Sequence, residues 1–318
     1  MEPLRDLFLW ASQSPALAER LPRLAPVRAT VARFLPGETA DAALAAADRL
    51  AERGIACAFT ELGENVTDAD QAAVATERYL DLLDRIAERG LDGEVSVKLT
   101  HLGLDLDPDL AHANAARIAE RAEALGGRLW LDMESSEYVD RTLAAYRRLL
   151  ARSPRTGVCV QAYLRRTPQD VADLLPLDPS LRLVKGAYRE PSSIAYPRRA
   201  QVRTAYQRLA LEILRRRPQT ASGRLVLGTH DVELVRAIDD EARTEGIDRR
   251  AFEVEMLYGI RVPDQERLAR EGFRVRVLIA FGTRWYAWFM RRLAERPANA
   301  LLALRALVAR PSPGATDR

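Results

Sequence analysis

The chain has 318 residues, with 48 Lys+Arg against 45 Asp+Glu and a formal net charge of +3, a balance that excludes a nucleic-acid-binding tail. The sequence pI near 9.0 reflects arginine enrichment. A 47% hydrophobic content suits a large buried core, two cysteines without ligand spacing exclude a disulfide framework and a zinc site, and no apolar run approaches the roughly 18 residues that span a bilayer.

In chain order, the start MEPLRDLFLW carries acidic residues and no cleavable signal pattern, so the expectation is a cytosolic protein. Residues 1–51 read as helical and charged, an added cap. From there short apolar runs recur as GIACAFTEL, EVSVKL, RLWLDM, GVCVQAYL, LRLVKGAY, RLVLGTH, AFEVEML and RVRVLIAF. The stretches between them, such as DQAAVATERYLDLLDRIAERG and DVELVRAIDDEARTEG, place apolar residues every three or four positions, as amphipathic helices do. Strand and helix alternating through eight repeats predict a (β/α)8 TIM-type barrel over residues 52–304, followed by a tail over 305–318 that ends in PSPGATDR. Cys57 and Cys159 fall in strand-like runs and read as small core residues.

Chemistry in such a barrel belongs at the carboxyl ends of the strands. Polar residues gather there: Lys98, Asp132, Gln161, Lys185 with Tyr188, and Thr229 with His230. Each has a structural alternative, since Lys98 could snorkel, Asp132 could cap the next helix and His230 could be an ordinary loop residue. Their joint position at successive strand ends favours a site. Near the end, YAWFMRRLAERPAN sets Arg291 and Arg292 side by side in an apolar context. Read alone, it is a solvated helix face with an Arg291 to Glu295 pair; a guanidinium also grips a carboxylate at two points.

The blocks SVKLTHLGLDLD, LWLDMESSEYVDRTL, CVQAYLRRT, RLVKGAYRE, GTHD, FEVEMLYGI and FMRRLAERPAN, in this order, resemble the proline dehydrogenase family from about residue 34 to residue 299. The resemblance implies a monofunctional, FAD-dependent enzyme on a distorted barrel. Such an enzyme oxidises L-proline to 1-pyrroline-5-carboxylate by hydride transfer from ring C5 to flavin N5 and passes electrons to a quinone. It implies catalytic roles for Lys98, Asp132, Arg182 and Tyr188, with Asp132 hydrogen-bonding Lys98 and Arg182 near flavin N5. Arg291 and Arg292 would clamp the substrate carboxylate, with Lys98 as a third positive group, Glu295 beside the clamp and Leu257 on the pocket wall. Met133, Gln161, Arg182, Lys185, Gly186, Ala187, Thr229 and His230 match flavin-contacting positions. No G-x-G-x-x-G follows a strand, consistent with a flavin held by strand ends. No metal is implied, and the partners are L-proline or a close analogue, a quinone and, through the N-terminal helices, peripheral contact with a membrane.

Four positions depart from the family's pattern: Arg189 for tryptophan, Asp231 for asparagine, Glu255 for glutamine and Leu278 for a tyrosine that packs over the substrate ring. Leu278 opens the alternative of a ring-substituted proline such as 4-hydroxyproline. Two readings from other classes stand beside these: a barrel lyase forming a Schiff base on Lys98 or Lys185, and a binding barrel without catalysis.

Overall fold

A computed structural model describes residues 31–217, 222–286, 289 and 290, with residues 14, 17, 20 and 27. Each apolar run contains one strand: β1 Ala56–Glu61, β2 Gly93–Val97, β3 Leu129–Leu131, β4 Thr156–Gln161, β5 Ser180–Val184, β6 Leu225–Gly228, β7 Phe252–Leu257 and β8 Arg274–Phe281. All neighbours are parallel and follow chain order, and β1 closes on β8 from Ala56↔Arg276 to Glu61↔Phe281. The expected eight-stranded barrel is therefore closed. Among the described residues the α-helices with defined bounds are α1 Ala40–Ala51, α2 Ala69–Glu88, α3 Pro108–Ala124, α4 Val139–Leu150, α5 Thr167–Leu174, α6 Arg199–Arg216, α7 Val232–Thr244 and α8 Val262–Arg270.

Local chemistry starts several of these helices. Asp68 accepts from the Gln71 amide at 2.8 Å, Asp107 precedes Pro108 and caps α3, and Asp231 caps α7 through the Leu234 amide at 3.1 Å. Each satisfies a donor that the first helical turn leaves unpaired. α1 packs against β1 and β8, and Ala43, Leu44, Ala46, Ala47 and Leu50 belong to the main core. A second apolar cluster joins Val27, Val31 and Leu35 to Leu62, Ala280, Trp285, Tyr286, Phe289 and Met290.

Alternation along the strands has an inverted meaning here. Val95 and Val97 of β2 join the main apolar core, whereas Glu94 and Ser96 reach strands across the barrel. Polar side chains therefore face inward and apolar ones face the helices. Toward the amino ends of the strands, Arg276 pairs with Glu253 at 3.1 Å and Glu94 at 3.6 Å, and Arg224 pairs with both acids. Trp130 donates its indole N–H to Glu94 at 2.7 Å. Such an interior is tolerated because every charge meets an opposite one; a lone buried ion would be prohibitive. A cleft of about 390 Å³ opens at this amino end beside Asp92, Glu253 and Arg276, whose charges are committed to one another.

Candidate functional site

The other end of the barrel carries the chemistry-bearing side chains. Lys98 is the first residue beyond β2, Asp132 beyond β3, Lys185 beyond β5 and Thr229 beyond β6, while Gln161 and Leu257 end β4 and β7. One step deeper lies Arg182, flanked in β5 by the buried Leu181 and Leu183 and itself only 2% exposed. Alternation turns its side chain inward, so a cation occupies the barrel axis.

Arg182 organises the centre. Its Nη1 donates to Ser96 Oγ at 2.8 Å and to Asp132 Oδ1 at 3.2 Å, and its Nε lies 3.0 Å from Glu255 Oε1. Its guanidinium carbon sits 4.6 Å from the Trp130 ring centroid, within cation–π range. The Ser96 hydroxyl accepts from Arg182 and donates to Asp132 Oδ1 at 2.7 Å. Burial works against the Arg182 charge, but Glu255 leads a set of partners that hold its pKa above the ordinary arginine value. Lys98 Nζ lies 3.8 Å from Asp132 Oδ2, an ion pair longer than a hydrogen bond. Charges thus alternate across the mouth as Lys98, Asp132, Arg182 and Glu255.

A further acid borders Lys98. Glu134 accepts from the Thr100 hydroxyl at 2.8 Å and the Thr100 amide at 3.3 Å. Burial pushes its carboxyl up to about 7, against the pull of Lys98 and the Thr100 hydrogen bonds. Behind it, burial pushes His101 down to about 4, followed by the repulsion of Lys98, so its ring is neutral at pH 7.

The residues matched to a flavin lie on adjacent strands. The Gln161 amide donates to the carbonyls of Glu134 at 3.1 Å and Met133 at 3.4 Å. The Lys185 ammonium pairs with Asp231 at 3.0 Å; Arg203 shares that carboxylate. Burial opposes the Asp231 charge, yet Arg203 and Lys185 lower its pKa to about 2. Gly186 has φ +107°, a backbone state that disfavours other residues, and an added Cβ would fall 2.1 Å from the Tyr163 ring. Ala187 and Tyr188 follow in the same loop, half-buried. The Thr229 amide donates to the Glu255 carbonyl at 3.0 Å, and the His230 carbonyl accepts from Arg261 at 3.1 Å.

Gln161 Oε1 and Arg182 Nη2 are buried without a hydrogen-bond partner among the described residues. An acceptor and a donor left orphaned on neighbouring strands at one mouth fit a ligand with hydrogen-bonding groups of both kinds, as a flavin ring edge has. Leu257 and Leu278 are paired in register on β7 and β8 and are only partly buried. Arg291, Arg292 and Glu295 lie outside the described residues. Among the described residues, no cluster of His, Cys, Asp and Glu could hold a metal ion, and no helix is long and apolar enough to cross a membrane.

Ser96, Trp130 and Glu134 received no role from the sequence, and Glu255 only a note of departure. A signal was present for all four: Glu94, Ser96 and Lys98 alternate with valines, Trp130, Asp132 and Glu134 with Leu131 and Met133, and Glu253 and Glu255 with Val254 and Met256.

Comparison with known proteins gives a consistent picture. Residues 43–302 match the family described as Proline dehydrogenase. The chain is 35% identical over 306 residues to "Proline dehydrogenase 1" of Bacillus subtilis subsp. natto, covering 96% of this chain and 99% of the relative. It is 37% identical over 281 residues to "Proline dehydrogenase" of Deinococcus radiodurans, covering 87% of this chain and 89% of the relative. Among solved structures, proline utilization A from Bdellovibrio bacteriovorus, inactivated by N-propargylglycine, matches 92% of this chain with a TM-score of 0.79 at 22% identity. The match takes in only 36% of that longer chain, and the likeness speaks to the fold alone.

Proposed function

Because the chain belongs to the proline dehydrogenase family, we propose that it oxidises L-proline to 1-pyrroline-5-carboxylate with a non-covalently bound FAD. The observation that carries this reading is the run of alternating charge at the mouth, Lys98, Asp132, Arg182 and Glu255, beside the orphaned Gln161 and Arg182 atoms. Gln161, Lys185, the main chain of Gly186 and Ala187, Thr229 and His230 would hold the flavin, with Met133 beside them. Bound there, the flavin supplies the acceptor for the hydride that leaves ring C5, and a quinone then takes the electrons.

The chain's own residues do the positioning. Lys98 offers a cation to the substrate carboxylate, and Asp132, anchored by Arg182 and Ser96, limits how far that ammonium can wander. Arg291 and Arg292 complete the clamp in this reading, with Glu295 offsetting their charge. Holding the ring by its carboxylate brings C5 to a constant place, which replaces a large entropic barrier. Cations near the ring nitrogen disfavour its protonated form, leaving its lone pair free to assist loss of hydride. Tyr188 borders the substrate and Leu257 forms the wall. The deciding experiment is the visible absorbance of the purified protein before and after anaerobic addition of proline. Flavin bands that bleach are expected; a colourless protein, or bands indifferent to proline, would overturn the reading.

The pairing of Leu257 with Leu278 favours a second substrate. Two partly buried aliphatic residues at one edge of the mouth leave room that a tyrosine at 278 would fill, and a ring substituent could occupy it. Leu278→Tyr is therefore expected to raise the ratio of kcat/KM for proline over 4-hydroxyproline about tenfold, about 1.4 kcal/mol of discrimination. An unchanged ratio would mean that residue 278 does not line the ring pocket. Cellular placement follows from the same reading: a cytoplasmic enzyme meeting its quinone at the inner membrane face, by peripheral contact.

A further inference from the structure

Glu255 is a carboxylate at the centre of the barrel, 5% exposed. One oxygen faces Arg182 Nε at 3.0 Å, and the other is buried without a hydrogen-bond partner among the described residues. Such a group is costly to the fold, since the charge is desolvated and Oε2 has no hydrogen-bond partner among the described residues. Asp132 faces the same guanidinium at 3.2 Å but also pairs with Lys98 at 3.8 Å. A glutamine would span the same distance without a buried charge.

Burial raises the Glu255 carboxyl above its ordinary range, and Arg182 first and Arg276 second pull against that shift. Arg276 on β8 is engaged by Glu253, Glu94 and Asp92. Glu94 on β2 and Asp132 just beyond β3 are themselves acidic, and Cys159 on β4 is held as a neutral thiol by burial. Tyr206 of α6 spends its hydroxyl on the Leu183 carbonyl at 2.9 Å. Within the set Lys98, Arg182, Asp132 and Glu255 the charges therefore sum to zero, with Glu134 beside Lys98 as a further, raised acid. Replacing Glu255 by a neutral side chain would leave the same group with one net positive charge.

We propose that Glu255 is a positioning residue that holds the Arg182 guanidinium against Trp130 and cancels its charge, so that a cofactor bound at this mouth is harder to reduce than it would be over a neutral residue 255. The inference rests on the flavin reading above. Reduction places negative charge on the flavin ring, and a nearby carboxylate opposes that charge while a net cation welcomes it. Glu255 thus works through Arg182 and touches neither substrate nor chemistry.

The test compares the wild type, Glu255→Gln and Glu255→Asp as purified holoproteins, by flavin occupancy and by midpoint potential in dye equilibration. Glu255→Gln is expected to bind reduced over oxidised flavin about tenfold more favourably, a rise of about 30 mV for a two-electron couple. Glu255→Asp keeps the charge and should stay near the wild-type potential. A Gln variant with full flavin and an unchanged or lowered potential overturns the proposal, as does an Asp variant that shifts as far as Gln. A Gln variant that fails to fold while the Asp variant keeps fold and potential supports a buried charge that the fold itself requires, and overturns a role confined to the cofactor. Absence of flavin from the wild type is a separate result, which removes the functional reading and this inference with it.

Discussion

Replacing Arg182 by methionine is expected to destabilise the protein by about 3–5 kcal/mol, because it strips the shared cation from two acids at the barrel centre. Asp132 and Glu255 both face that guanidinium, at 3.2 and 3.0 Å, and Glu255 is as buried as the surrounding core. A loss of this size is a large share of the roughly 5–15 kcal/mol that holds a domain together. The deficit should depend on pH. Without the cation, the Glu255 carboxyl, already raised by burial and held down by Arg182, rises further above its unfolded value, the native state binds more protons, and stability falls as pH rises. Urea unfolding should therefore show a larger deficit at pH 8 than at pH 5.5, and the double variant Arg182→Met/Glu255→Gln should recover part of it. A single variant as stable as wild type at pH 8 would mean that the ion pairs contribute nothing to the fold. In the proposed enzyme, Arg182→Met should also lower flavin retention and reduction potential.

Lys98→Met is expected to do the opposite, sparing the fold and weakening the substrate complex. Lys98 follows β2 with its side chain 13% exposed, and its nearby acid Asp132 keeps both Arg182 and Ser96 when the ammonium is removed. Buried Glu134 loses the pull of Lys98 but keeps both Thr100 hydrogen bonds, and burial already raises its carboxyl to about 7. A charge-assisted contact to a carboxylate contributes roughly 1.5–3 kcal/mol, so kcat/KM for proline should fall about 10- to 150-fold while the unfolding midpoint moves little. Steady-state kinetics beside urea unfolding separates the two effects. If kcat/KM is unchanged, Lys98 is not part of the carboxylate site; if stability falls as far as in Arg182→Met, its role is in the fold.

The sequence by itself determined the order of elements. Eight apolar runs alternating with amphipathic segments can be only β/α repeats, and each run, from GIACAFTEL to RVRVLIAF, contains one strand. Polar residues at strand ends also marked Lys98, Asp132, Gln161 and Lys185 as neighbours, because parallel strands bring their carboxyl ends to one face. Local pattern did not say which way the polar face of each strand turns. Alternation such as Glu94-Val95-Ser96-Val97 ordinarily puts the charges in water, and an open sheet would have done so. Closure of β1 on β8 reverses the assignment: the helices cover the valines, and the charged residues are enclosed. Arg182 and Ser96, separated by 86 positions, become hydrogen-bond partners only through that closure. The same holds for Glu255, whose charge gains its meaning from what lies across the barrel. Periodicity along a strand is a property of the local chain, whereas the partner of a buried charge is decided by which strands close around it.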